Sequence, residues 1–364
     1  MDILRCIGCG SVIQSNDPAS PGYLPQSKLP EGDETVVCRR CFRLKHYNEV
    51  TPLHVTQDEY YRIISQIADD DALVVNIVDI FDLEGSLIPQ IGKLTNHNDM
   101  IVLANKRDLL PKSVSDAKLL HHIRKIVSDH HLKPLRIHLM SARKYQHIDD
   151  VMDSILELAK GRDIYIVGAT NVGKSTFINT LLKAYADSAE DVITVSQAAG
   201  TTLDMIKIPI GDQYIVDTPG ILNDIQLTHH VSAASLKAIT PTKEIKAKIY
   251  QLDPRQTIFL GGLARIDFVR GERTSFVCYA APGITLHRTK LERADDLFAN
   301  RVGTVLVPPV ADERFDLAMT PFHVPAGKHD VVLPGLGFVT VKGPIDIRVH
   351  VHPRTRPYLR EALI

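Results

Sequence analysis

The order of three short motifs constrains this chain more than any other feature. Asn105-Lys106-Arg107-Asp108 comes first, Gly168-Ala169-Thr170-Asn171-Val172-Gly173-Lys174-Ser175 second, and Asp217-Thr218-Pro219-Gly220 third. Each follows a short apolar run that reads as a strand, over residues 100–104, 163–167 and 214–216. Further strands are expected at 73–78, 136–140 and 205–208, and helices at 58–68, 115–131, 148–160 and 174–184. Strands alternating with helices predict a mostly parallel sheet covered on both faces, with ligands bound beyond the carboxyl ends of its strands. All three motifs fall at such ends.

The middle motif matches G-x-x-x-x-G-K-[ST] and lies between a strand and a helix, the context this phosphate loop requires. Its glycines let backbone N–H groups wrap a phosphate at the positive end of the helix. Gly168, Asn171, Val172, Gly173, Lys174, Ser175 and Thr176 are the expected phosphate-side residues. Lys174 would neutralise the β- and γ-phosphates, and the Ser175 hydroxyl would ligate Mg²⁺. Asp217 would hold that ion through water, and the Gly220 N–H would meet a γ-phosphate. Between the two motifs lies Gly200-Thr201-Thr202. Thr202 is the first choice for a further magnesium ligand, and Thr201 the second. Lys174, Asn171, Thr202 and Gly220 are thus the candidate catalytic residues.

The first motif matches N-K-x-D. The Asp108 carboxylate can accept hydrogen bonds from guanine N1–H and the exocyclic amino group. Adenine would leave it unpaired, and sites built on such pairing discriminate by roughly 10⁴-fold. Asn105 would contact the base edge and brace the loop, the Lys106 stem would pack along the base, and Ser141-Ala142 would offer a backbone N–H to guanine O6. Ordinary GTPases run phosphate loop, threonine switch, D-x-x-G, guanine reader, Ser-Ala. Here the last two come first, which is a circular permutation. It is physically cheap because domain termini often lie close together. Gly161-Arg162 would be the joint.

Two cysteine pairs, Cys6-x-x-Cys9 and Cys38-x-x-Cys41, are separated by 28 residues. Four thiolates in two knuckles suit tetrahedral structural zinc, and the long loop favours a treble-clef-like module. Disulfides or free thiols are the alternatives. Arg39, Arg40, Arg43, Lys45 and His46 surround the second knuckle, as an RNA-facing patch or a solvated face. Cys278 lies in an apolar run and reads as core. Asp79 and Asp82 read as turn and cap residues.

The 364 residues suffice for two or three domains, divided here at 1–56, 57–225 and 226–364. The fold class is α/β: a circularly permuted P-loop GTPase domain, an N-terminal zinc module and a C-terminal α+β domain. That last domain opens with helical pattern and ends in strands at 336–342 and 345–351. From Val231 onward, 19 Lys and Arg stand against 13 Asp and Glu, leaving seven net negative charges to the rest. Such a tail fits a polyanionic partner. Basic clusters at His287-Arg288-Thr289-Lys290 and Arg354-Thr355-Arg356 are candidate phosphate contacts or solvated surface. With no membrane-length apolar stretch and no signal-peptide pattern, a cytoplasmic location with no membrane partner is expected.

The permuted order, the cysteine pairs and the tail resemble the YqeH family of bacterial GTPases. The tail segments concerned are GGLARIDFVRGERTSFVCYAAPGITLHRTKLERAD and LPGLGFVTVKG. The resemblance covers essentially the whole chain. It implies GTP/GDP as ligand and a role in assembling the small ribosomal subunit, with its precursor rRNA or ribosomal proteins as partners. Where Ras-like proteins carry a water-orienting glutamine, this chain has Ile221. Some relatives with a matching phosphate-loop asparagine use a potassium ion. Asn171 matches that position, with Thr201 in the matching loop, and a loop-bracing role for Asn171 is equally open. Two other functions compete. One is a GTP switch whose tail binds protein, and the other is a phosphotransferase using GTP.

Overall fold

The computed structural model describes residues 4–7, 11–18, 20–29, 36–47, 57–88, 90–96, 98–185, 205–223, 225–310, 313–314 and 316–364. Cys9, Thr201 and Thr202 lie outside these residues. The chain divides into two compact units, one of Met1–Arg107 with Ile123–Leu222, the other of Asp108–His122 with Asn223–Ile364.

In the first unit, six strands among the described residues form one sheet. They are β1 (Ala72–Asp79), β2 (Asp99–Asn105), β3 (Arg136–Leu139), β4 (Asp163–Gly168), β5 (Ile206–Ile210) and β6 (Gln213–Asp217). The spatial order is β3-β2-β1-β4-β6-β5, parallel except for the β5–β6 hairpin at one edge. β1 and β2 are buried along nearly their whole length, so their apolar residues run continuously rather than alternating. Helices along the chain are α1 (Arg39–Tyr47), α2 (Gln57–Gln66), α3 (Leu83–Ser86), α4 (Ile91–Leu94), α5 (Asp116–Asp129), α6 (Ile148–Ala159) and α7 (Lys174–Tyr185).

The permutation is visible in this order. The chain steps outward from β1 to β3, returns to lay β4 beside β1, and then builds the other side. β1 and β4 are therefore adjacent strands whose connections leave in opposite directions, the kind of place where open α/β sheets bind ligands. The joint falls where the sequence puts it. α6 stops at Lys160 (φ 52), whose N–H bonds to Leu156 O, and Gly161 follows at φ 84. Left-handed backbone is the usual helix stop, and glycine adopts it without strain. Arg162 then fixes the turn, donating to Leu158 O at 2.8 Å, Ala159 O at 3.0 Å and Asp99 at 2.9 Å.

The second unit is mainly antiparallel sheet. Its strands are β7 (Lys248–Leu252), β8 (Gln256–Leu260), β9 (Ala264–Gly271), β10 (Thr274–Ala280), β11 (Leu286–Lys290), β12 (Ala318–Leu333), β13 (Gly337–Val351) and β14 (Tyr358–Glu361). The helical opening of the tail is α8 (Ala233–Ile239), capped by Ser232 Oγ accepting from Ser235 N. A second helix, α9 (Ala294–Arg301), follows β11. The two strands expected at 336–342 and 345–351 are instead one, β13. A bulge at Ala326/Gly327 opposite Gly343 carries the β12 ladder past Pro344. Phe268 and Phe276 pack at 5.6 Å in a core with Ile266, Val339 and Val349. Cys278 belongs to the same core, and burial pushes its thiol up to about 12. Asp330, fully buried, accepts from Thr340 Oγ1 (2.6 Å), Arg360 Nε (3.2 Å) and Leu363 N (3.0 Å), which fastens the chain's last residues to β12.

The segment 108–122 clusters with this unit for a backbone reason. Ile245 N donates to Leu109 O at 2.8 Å, and Lys112 N donates to Glu244 Oε1 at 3.2 Å. No helix among the described residues is long and apolar enough to cross a membrane.

Candidate nucleotide site

Parallel register lines up the strand ends that carry the motifs. Asp79 pairs with Asn105, Ile77 with both Leu103 and Gly168, and Ile166 with Asp217. The first residue of N-K-x-D, the first of the phosphate loop and the first of D-x-x-G thus sit along one edge of the sheet.

Asn105 ties three of the loops together. Its Nδ2 donates to Val172 O in the phosphate loop at 2.9 Å, and its Oδ1 accepts from Ala142 N at 3.0 Å. The side chain is 2% exposed, so both bonds are shielded from water. Gly173, at φ 94, lies against it, and a Cβ there would collide with Asn105 Nδ2. The second glycine of the loop is therefore required both by backbone conformation and by the asparagine beneath it. Gly168 is similarly confined, with Ile77 O and Val172 Cγ2 about where a Cβ would reach.

Lys106 has a left-handed backbone (φ 70), and its Nζ donates to Asp79 Oδ2 at 2.6 Å and to Asn171 O. It thus braces the phosphate loop from the guanine-reader side. Asp79 does cap a turn, accepting from Phe81 N at 2.9 Å, as the sequence suggests. Its second oxygen holds Lys106, a role that sequence reading missed. The available signal was its position at the end of the strand paired with β2. Ser141 is fully buried, with Gln146 N donating to Ser141 O at 3.0 Å and Lys144 N to its Oγ at 3.1 Å. Asp108 is half-buried in the short turn Arg107–Leu109. Asn171 is exposed at φ 64, Ser175 is half-buried and Thr176 is exposed.

On the phosphate side, Lys174 Nζ donates to Asp217 Oδ1 and to Thr218 O. Burial pushes the Lys174 ammonium below its ordinary value, with Asp217 opposing the shift and Arg40 adding to it. D-x-x-G is pinned to the phosphate loop by its backbone, since Thr170 N donates to Ile221 O at 2.8 Å. Gly220 faces Thr170, whose Cγ2 stands 3.2 Å from where a Cβ would be. Ile221 itself is 2% exposed, so its side chain packs inward and offers nothing to an attacking water.

The N-terminal cysteines form a separate cluster. Cys6, Cys38 and Cys41 are buried, and their sulfurs lie within 4.8 Å of one another. Cys38 N donates to Cys6 Sγ at 3.1 Å. Cys6 bridges Val36 and follows Arg5, which bridges Val12, and Cys41 lies in the first turn of α1. Three buried soft donors this close suit a thiophilic metal, with Cys9 outside the described residues. Of the basic residues beside the second knuckle, which the sequence leaves as an RNA-facing patch or a solvated face, Arg39 is exposed and Arg40 is turned inward. Arg39 donates to Pro18 O at 3.1 Å and stacks over Tyr23. Arg40 is 7% exposed and donates to Asp217 Oδ2 at 3.3 Å. The side chains of Lys45 and His46 lie outside the described residues.

A phosphate loop opening a helix, a buried lysine facing the D-x-x-G aspartate, and an N-K-x-D loop bonded to the phosphate loop define a P-loop GTPase domain. Residues 163–261 match the family described as "50S ribosome-binding GTPase", and residues 273–363 match "YqeH-like, C-terminal". Over 345 residues the chain is 44% identical to the Bacillus subtilis (strain 168) protein "Uncharacterized protein YqeH", spanning 94% of this chain and 93% of that one. It is 28% identical over 402 residues to "NO-associated protein 1, chloroplastic/mitochondrial" of Arabidopsis thaliana, spanning 96% of this chain and 71% of that one. Among solved structures, GNP-bound YlqF from T. maritima aligns at a TM-score of 0.31 with 20% identity, over 46% of this chain and 63% of that chain, too loosely to bear on the argument. The chain belongs to the YqeH family, and it is a GTPase.

Guanine selectivity is expected to reside in Asp108. In Asp108→Asn the amide NH₂ can donate to the 2-oxo group of xanthine. Competition binding with GTP, ATP and XTP should show preference moving from GTP toward XTP. An undiminished preference for GTP would contradict the assignment.

Proposed function

We propose that this GTPase is a nucleotide-controlled switch in assembly of the small ribosomal subunit, binding the subunit or its precursor RNA. The observation that carries this reading is the match of residues 163–261 to a family described by ribosome binding. That description names the 50S subunit, whereas the whole-chain resemblance drawn from the motifs points to the small one. The charge of the tail supports a polyanionic partner, and Arg354 and Arg356 are exposed there. Only two residues separate Gly220 from Asn223, where the second unit begins, so a change at D-x-x-G is delivered directly to that part of the chain.

In this reading, residues 1–56 are a treble-clef-like zinc module held by Cys6, Cys9, Cys38 and Cys41. Residues 57–225 bind and hydrolyse GTP, and 226–364 meet the partner, in the cytoplasm. Ser175, Asp217 and Thr202, the last outside the described residues, would hold magnesium, which would neutralise phosphate charge. Asp108 and Asn105 take the base, and the Ala142 N–H, which donates to Asn105 Oδ1 in the structure, turns to guanine O6 when the nucleotide binds. Gly168, Val172, Gly173, Lys174 and Thr176 take the phosphates, with Thr201 and Gly220 at the γ-phosphate end. Because Ile221 orients no water, hydrolysis by the chain alone is slow. Potassium beside Asn171 belongs to the same proposal. Hydrolysis should then run faster in potassium than in sodium at matched ionic strength, and equal rates would leave Asn171 a loop brace.

Sedimentation with purified small and large subunits tests the function itself. Binding to the small subunit is expected, with affinity that differs between a non-hydrolysable GTP analogue and GDP and falls steeply with salt. Binding to the large subunit alone would reassign the partner. No binding to either in any nucleotide state at low salt would end the ribosomal reading and favour a protein partner.

A further inference from the structure

Arg40 ties the cysteine cluster to the phosphate side of the nucleotide site. It stands between Cys38 and Cys41, as the second residue of α1, so the cluster fixes where its side chain starts. Arg39, one residue earlier, stays within the N-terminal module, on Pro18 O and over the Tyr23 ring. Arg40 crosses instead to the end of β6. There it donates from Nη2 to Asp217 Oδ2 at 3.3 Å, and both side chains are almost fully buried.

The two oxygens of Asp217 are divided between two cations. Oδ2 faces Arg40, and Oδ1 accepts from Lys174 Nζ. Two cations on one buried carboxylate leave a net positive charge where a triphosphate is to bind, an arrangement that favours an anion over an empty site. When nucleotide enters, the phosphates are the stronger partner for Lys174, so Oδ1 is released. Oδ2 has no such competitor.

We propose that Arg40 is a positioning residue for magnesium: it holds Asp217 by Oδ2, so that Oδ1, once released by Lys174, would stay aimed at the magnesium side of the site. The proposal rests on the reading of Asp217 as the magnesium-side carboxylate. It gives the cysteine module a function beyond stabilising its own fold. A metal held by Cys6, Cys38 and Cys41 would set the start of α1, α1 aims Arg40, and Arg40 holds Asp217.

The test measures Mg²⁺-dependent binding of a non-hydrolysable GTP analogue by calorimetry, and GTP hydrolysis against Mg²⁺ concentration at saturating GTP, on full-length protein of verified zinc content. Arg40→Met keeps the apolar stem and removes the charge. It should raise the half-saturating Mg²⁺ concentration about ten-fold, the scale of one charge-assisted hydrogen bond, while preference for GTP over ATP stays intact. Arg40→Lys should recover part of the shift. Removing zinc from the wild type with a chelator should shift the Mg²⁺ dependence in the same direction, and in Arg40→Met it should add little. A folded Arg40→Met with wild-type Mg²⁺ dependence overturns the proposal. Should Arg40→Met not fold, the zinc-stripped wild type decides, and an unchanged Mg²⁺ dependence there overturns it equally. Asp217→Asn, run in parallel, separates the two levels. If it leaves Mg²⁺ dependence unchanged, the magnesium reading of Asp217 fails. If it changes that dependence and Arg40→Met does not, only the role of Arg40 fails.

Discussion

The nucleotide site depends on one buried side-chain amide. Asn105 donates to the phosphate loop through Val172 O and accepts from the Ser-Ala loop through Ala142 N. Those loops belong to three different strands, and backbone register alone brings their ends only to the same edge of the sheet. The amide converts proximity into fixed geometry, because a buried bond of this kind is costly to leave unmade. Gly173 follows from it, since only a residue without Cβ fits against Nδ2. Lys106, held by Asp79, braces the same loop through Asn171 O. The base-reading and phosphate-binding halves of the site are thereby one mechanical piece.

This explains why the permuted order of the chain is harmless to the site. The bonds that assemble it run between strand ends, and no loop between consecutive motifs has to hold them. Moving the chain's start from the phosphate-loop strand to β1 leaves β1, β2, β4 and β6 in the same relation. What changes is the exit. The chain leaves the site after D-x-x-G, whose Ile221 carbonyl is bonded to Thr170 N, and enters the second unit at Asn223. The loop that follows β6 is therefore the one with a direct covalent path into the second unit.

Much of this was legible in the sequence, for identifiable reasons. The phosphate loop, N-K-x-D and D-x-x-G are short contiguous motifs whose chemistry fixes both residue type and spacing, so each could be read in isolation. The strands of the first sheet were legible as apolar runs because a parallel sheet buries both faces. Long-range partners were not legible. Nothing in Asp79 itself says that it will hold Lys106, and Arg40 reads as one more member of a basic run. Its burial against Asp217, 177 residues away, depends on how the cysteine module packs. The single long strand β13 was read as two because Pro344 interrupts the pattern, and the bulge that accommodates it lies on the partner strand. The pairing of 108–112 with 244–245 likewise left no local trace.

The central claim is that Asn105 joins guanine reading and phosphate binding into one site, and Asn105→Asp tests it most directly. The substitution keeps size and keeps the acceptor for Ala142 N, but places a carboxylate oxygen against Val172 O where a donor had been. GDP affinity, measured by titration calorimetry alongside thermal unfolding, should fall by about a hundred-fold in a protein that still unfolds cooperatively, the scale expected when a buried acceptor loses its donor. Wild-type GDP affinity in Asn105→Asp would contradict the account.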